Sequence, residues 1–174
     1  MRQILFLGIS AILFAGCFSK QIQEQNKYEI YTPLNNKECQ KYITISYLGI
    51  EVAQKINSTK IAYKENNNKL EYFAKNKWAS NLQDMLEITL NKIAKNNCIA
   101  LSDNNSPESM KLKVLDLYFD ESSNKAVFNA ILELGERQIW IAKHTKVEEG
   151  DFSKIINALN STINSGLDEA LGEI

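Results

Sequence analysis

The 174-residue sequence predicts an α+β fold: a single two-layer domain with one mostly antiparallel sheet and two amphipathic helices on one face. Three observations predict it. Leu82, Met85, Leu86, Thr89, Leu90 and Ile93 recur at three- and four-residue spacing, the period of a helix buried along one stripe. Phe152, Ile155, Ile156, Leu159, Ile163, Leu167, Ala170 and Leu171 repeat that pattern near the C-terminus. Between these stretches the apolar residues alternate with period two, as in half-buried strands. The length fits one domain.

The elements follow in order. Tyr28 to Tyr31 is a short first strand closed by Pro33, and Asn35-Asn36-Lys37 is turn-like. From Tyr42 to Ile50, residues Ile43, Ile45 and Tyr47 point one way and Thr44 and Ser46 the other. Thr59 to Lys64 and Lys69 to Phe73 form a hairpin around Glu65-Asn66-Asn67-Asn68. Trp78 opens the first helix, which ends near Asn96-Asn97. Cys98 to Leu101 is a strand, and Asp103 to Glu108 is a loop. Met110 to Phe119 is a longer strand whose alternation breaks near Val114-Leu115, the mark of a bulge or of burial on both faces. Ala126 to Leu134 and Gln138 to Val147 complete a three-strand antiparallel meander. Asp151 caps the last helix, and Gly172 stops it.

Composition excludes several functions. Twenty Lys+Arg against 21 Asp+Glu give a net charge of −1, without the basic excess of a nucleic-acid protein. Three Cys and one His are too few for a zinc module, so no metal or other cofactor is expected. The abundance of Asn and Lys reads as codon bias rather than chemistry, and two Asn-x-Ser/Thr triplets, at Asn57 and Asn160, as chance. No phosphate loop, nucleophile elbow or metalloprotease motif is present. His144, the only histidine, reads as a surface strand residue, and Asp116 as a rim or bulge carboxylate. The chain is therefore not expected to be an enzyme.

The N-terminus carries the most information. Met1-Arg2-Gln3 is a charged start, and Ile4 to Phe14 is an apolar run too short to cross a membrane. Leu13-Phe14-Ala15-Gly16-Cys17 resembles the bacterial lipobox, with Phe14 where a small aliphatic residue is usual. That resemblance implies a lipoprotein signal peptide over residues 1–16 and a diacylglyceryl thioether and acylated amine on Cys17. A polar tether then runs over residues 17–27, and the domain over 28–174. An ordinary secretory signal with an incidental Cys is the other reading. Without Asp after Cys17, the expected location is the periplasmic face of the outer membrane, with the inner membrane second.

With Cys17 acylated, Cys39 and Cys98 remain in an oxidising compartment. Cys39 precedes the first long strand and Cys98 opens the strand after the helix. If those strands are parallel neighbours, the two sulfurs meet at one sheet edge in a disulfide; otherwise they are buried thiols.

The stretch Ile61-Ala62-Tyr63-Lys64, Leu70-Glu71-Tyr72-Phe73 and Asn76-Lys77-Trp78-Ala79-Ser80-Asn81-Leu82 resembles the ABC-type transport auxiliary lipoproteins. These are the lipoprotein partners of phospholipid transport systems built around a mammalian-cell-entry (MCE) domain. Lys64, Tyr72, Trp78 and Leu82 carry the motif; Thr59-Lys60 stands where the family has Pro, and Lys64 where it more often has Arg. The resemblance implies an accessory subunit that binds rather than catalyses. Its implied partners are an MCE-domain protein with its ABC permease and ATPase, the membrane through the lipid anchor, and phospholipid as a further ligand; nucleic acid is not among them. The alternative is a structural or assembly lipoprotein of the envelope, such as a cell-wall synthase activator or an outer-membrane assembly subunit.

Without acid–base, phosphate or metal chemistry, the domain must work through a surface. Trp140, Ala142 and His144 share one face of a late strand, and Trp140 with His144 form the candidate binding pair. Either this face is open and Trp140 meets a partner, or the helices cover it and Trp140 is core.

Overall fold

The computed structural model describes residues 24–35, 38–66, 68–103 and 106–174. The lipobox and Cys17 lie outside these residues, as do Asn36 and Lys37 of the expected turn. In chain order the described elements are β1 (Asn26–Tyr28), β2 (Ile43–Val52), β3 (Lys60–Asn66), β4 (Lys69–Trp78), α1 (Leu82–Asn96), β5 (Ile99–Ser102), β6 (Ser109–Asp120), β7 (Lys125–Leu134), β8 (Arg137–Lys146) and α2 (Phe152–Gly172). The strands form one eight-stranded sheet. Both helices pack on the same face, α1 over β2 and β5 and α2 over β6, β7 and β8, and they touch each other.

The expected two-layer α+β domain is observed, and its sheet is mixed, with the longest pairings antiparallel. The β3–β4, β6–β7 and β7–β8 pairings are antiparallel, whereas β1–β4, β2–β5, β2–β6 and β3–β6 are parallel. β6 organises it. One edge of β6 takes β7; the other takes β2 along its first half and β3 at its end, where Tyr63 faces Phe119. β2 and β3 therefore follow one another along one neighbour, a placement that alternation within a strand cannot encode.

Three expectations are corrected. The first strand ends at Tyr28, and residues 29–35 leave the sheet. Trp78 does not open α1 but closes β4, where its N–H donates to the Thr59 carbonyl at 2.8 Å. The helix starts at Leu82 because Asn81, an efficient N-cap, accepts from the Gln83 N–H. In β2, Ile45 is buried but Ile43 is exposed, and the alternation slips at Leu48-Gly49, where Gly49 takes φ +96° and the pairing with β6 shifts.

Other expectations hold. The register breaks between Val114 and Asp116 in β6, where the alternation fails. Phe128, Ala130, Leu132 and Leu134 of β7 are all buried, and with Met110, Leu112 and Val114 of β6 they form the floor of the core. Asp151 caps α2 by accepting from the Ser153 N–H. The helix lies close to the sheet at Gly166: a Cβ there would come within 2.8 Å of Ile141 Cγ2 and 3.2 Å of Phe128 Cδ1.

Residues 29–35 form a strap over the helix layer. Ile30 and Thr32 are buried, and the strap's carbonyls are taken by side-chain amides. Asn164 Nδ2 donates to the Tyr31 carbonyl at 2.9 Å, Asn160 Nδ2 to Glu29 at 3.5 Å, and Asn96 Nδ2 to Pro33 at 2.9 Å. An irregular segment has no ladder to satisfy its carbonyls, so the helices supply the donors. These three asparagines are structural.

Candidate functional site

Cys39 and Cys98 are joined in a disulfide, with a Cα–Cα distance of 5.6 Å. β2 and β5 are parallel neighbours with Ile43 opposite Ile99, which brings the two cysteines to one end of the sheet. Cys98 follows the last turn of α1 at φ +60°, a left-handed position more often held by glycine. The bridge fastens the loop that follows the strap to the end of α1.

The four motif residues divide between the two faces of the sheet. Trp78 and Leu82 are buried among the helices. On the helix side Phe152 meets Phe73 edge to face and Tyr28 at a tilt, and Tyr63 packs on Phe73 with ring centroids 4.6 Å apart. Lys64 and Tyr72 lie on the opposite face. Lys64 Nζ sits 4.3 Å from the centre of the Tyr118 ring, and the Tyr72 hydroxyl donates to the Lys55 carbonyl at 2.6 Å. The motif thus holds the hairpin between the layers: aromatic packing on one side, polar contacts on the other.

The face away from the helices is uncovered among the described residues, and its rows follow from the register. Lys113, Ile131 and Trp140 form one row, Asp116, Asn129 and Ala142 the next, and Tyr118, Val127 and His144 the third. Trp140 is 68% exposed, so of the two sequence readings of this face the open one matches the structure. β8 is an edge strand in which Ile141 turns to the core and Trp140, Ala142 and His144 turn to solvent. The His144 side chain has no hydrogen-bond or ion-pair partner among the described residues, and its backbone pairs with Val127 in the β7–β8 ladder. A large indole on an open sheet face is a natural anchor for a partner.

The carboxylate at the bulge is structural. Asp116 accepts from Lys55 at 2.6 Å and from Asn129 at 3.1 Å. Burial pushes its carboxyl up, but these bonds and the Lys55 and Lys64 charges outweigh it and hold the group below its ordinary value. On the helix side the Tyr47 hydroxyl donates to Glu87 at 2.7 Å; burial and that carboxylate push the phenol upward, so it stays protonated. Among the described residues no three His, Cys, Asp or Glu side chains converge as a metal site.

One further concavity, of about 540 Å³, lies beside the strap between α1 and α2, with Pro33, Leu34, Asn96, Asn164 and Asp168 in its walls. It is open; Asn96 and Asn164 in its walls bond the strap, and Asp168 accepts from Asn97. Sequence reasoning missed this region, since the Asn160–Asn164 spacing of one helical turn was its only signal.

Fold and surface together define a two-layer α+β domain with one sheet face committed to helices and the other uncovered among the described residues. No family model matches the chain, and no curated protein matches it in sequence. Solved structures do match its fold. A crystal structure of an uncharacterized protein superposes with a TM-score of 0.66 at 14% identity, covering 86% of this chain and 98% of its own. The crystal structure of protein XCC0632 from Xanthomonas campestris, described as DUF330, superposes with a TM-score of 0.64 at 16% identity, covering 84% of this chain and 93% of its own.

Proposed function

We propose that the protein is a lipid-anchored accessory subunit of an ABC/MCE-type phospholipid transport system in the cell envelope, acting by binding rather than catalysis. The observation that carries the binding role is the uncovered sheet face with Trp140 68% exposed. The disulfide supports an oxidising compartment outside the cytoplasm. The lipobox-like residues before Cys17 support anchoring, and the stretch from Tyr63 to Leu82 supports the transport class. Two acyl signals suffice for stable anchoring, so a tri-acylated Cys17 would hold the domain at the membrane.

The test is capture of the tagged protein from cross-linked cells of its source, with fatty-acid labelling alongside. The expected outcome is labelled protein that brings down an MCE-domain protein with its permease and ATPase. Capture of a cell-wall synthase or an outer-membrane assembly complex instead would move the protein to the structural class. A Cys17→Ser variant that still incorporates label would refute the anchor.

A further inference from the structure

Lysines are unevenly matched across the open sheet face. Toward the middle each has a partner: Lys55 meets Asp116 at 2.6 Å, Lys113 meets Glu133 at 2.7 Å, Lys111 pairs with Glu51, and Lys64 lies over Tyr118. At the far edge Lys125 and Lys146 share their row with Asp120. The corner formed by β1, β4 and β3 is different. Lys27 is opposite Lys77 across the β1–β4 pair, and Lys77 is opposite Lys60 across the β4–β3 pair. Three lysines therefore stand side by side in one row.

Residues opposite one another in adjacent strands project to the same side, and like charges so placed repel. The side is the open one, because the next residues, Tyr28 and Trp78, turn to the helix layer. Lys60 Nζ lies 5.1 Å from the centre of the Tyr72 ring; Lys27 and Lys77 have no ion-pair partner among the described residues. Lys75, exposed beside them in β4, adds to the same corner. Among the described residues no carboxylate stands in this row, whereas Lys55, Lys111 and Lys113 are ion-paired and the Lys125–Lys146 row includes Asp120.

The chain outside the described residues ends at this row. Cys17 stands nine residues before Asn26, the first residue of β1. Fully extended, nine residues reach about 30 Å. A lipid on Cys17 would therefore keep the lysine row within that distance of a bilayer surface.

We propose that the Lys27–Lys77–Lys60 row is a docking surface for anionic phospholipid headgroups, which settles the tethered domain with this corner of its open face against the leaflet. The inference rests on the anchor reading above for the position of the membrane, and on the register for the row. An anionic leaflet strengthens binding about fivefold for each nearby lysine, and the effect decays over a Debye length of about 8–10 Å. A tether of that reach lets the row come within the range of such an attraction.

The test uses the full-length protein, extracted from membranes in detergent and reconstituted with vesicles of phosphatidylcholine alone or with phosphatidylglycerol added. Sedimentation reports the anchor. Amine acylation read by mass spectrometry reports the face. Lys27, Lys60 and Lys77 should react several-fold more slowly on the phosphatidylglycerol vesicles, and high salt should remove the difference. Lys41 and Lys95, away from this face, should react alike on both. If the protein sediments with both vesicles and the row reacts equally on both, the docking proposal is wrong and the anchor stands. If it sediments only with anionic vesicles, with the row protected, docking stands and the anchor reading falls. If it sediments with neither, both fall.

Discussion

Breaking the Cys39–Cys98 bridge should be the most damaging single covalent change to the domain. The cysteines are 59 residues apart, and the entropy returned to the unfolded chain by opening such a loop corresponds to about 4 kcal/mol. For a domain of this size about 1 kcal/mol moves Tm by roughly 2–4 °C, so the Cys39→Ala/Cys98→Ala double variant should melt about 8–16 °C below the oxidised protein. A second contribution can be separated from the first. Cys98 sits at φ +60°, where alanine is strained and glycine is not. Cys39→Ala/Cys98→Gly should therefore recover about 1 kcal/mol relative to the double-alanine variant. Circular dichroism melts of the three proteins, with and without reductant, make the comparison. Reductant should lower the oxidised protein and leave both variants unchanged. A double-alanine variant that melts with the oxidised protein would refute the loop argument, and a glycine variant below the alanine one would refute the left-handed assignment of Cys98.

Other expectations follow from single contacts. Asp116→Asn should cost about 0.5 kcal/mol at neutral pH, the size of a partly screened ion pair; because the folded carboxyl is held below its unfolded value of about 3.9, the difference should persist above that pH and fade as pH falls through the lowered folded value. Paired urea titrations would show it, and a cost that grew on acidification would contradict the sign. Gly166→Val should destabilise by roughly 2 kcal/mol, since even its Cβ falls within 2.8 Å of Ile141 and the gain from replacing a helical glycine is smaller than the overpacking; an unchanged Tm would show that α2 can lift from the sheet freely. Asn164→Ala removes the donors to the Tyr31 and Asn160 carbonyls, and should speed proteolysis at exposed Tyr31 several-fold while changing global stability by about 1 kcal/mol or less. Cleavage at the wild-type rate would mean that buried Ile30 and Thr32, with the Asn160 and Asn96 bonds, hold the strap without Asn164.

What could be read from the sequence was what is local. The period of β7 placed Phe128, Ala130, Leu132 and Leu134 inward because alternation is a property of consecutive residues. The two helix stripes and the β6 bulge were legible for the same reason. Pairing is not local, so the parallel β2–β6 and β3–β6 contacts left no mark in the alternation, and only the antiparallel part of the mixed sheet was legible. Trp78 was misplaced by one element, although Asn81 carried the usable signal: a capping residue immediately before Leu82. The strap was invisible because an irregular segment held by amide side chains has no period. For the candidate surface, alternation grouped Trp140, Ala142 and His144, but which face the helices covered had to come from the packing of α2 on β7 and β8.

The account turns on Trp140 being free for a partner rather than part of the core. The direct measurement is a Trp140→Ala variant assayed together for thermal stability and for capture of the proposed MCE-domain partner. At 68% exposure the indole contributes little to packing, so stability should remain within about 1 kcal/mol of wild type while capture falls several-fold. A loss of about 3–5 kcal/mol, as when a buried tryptophan is removed from a core, or capture at the wild-type level with stability intact, would contradict the assignment of this face to binding.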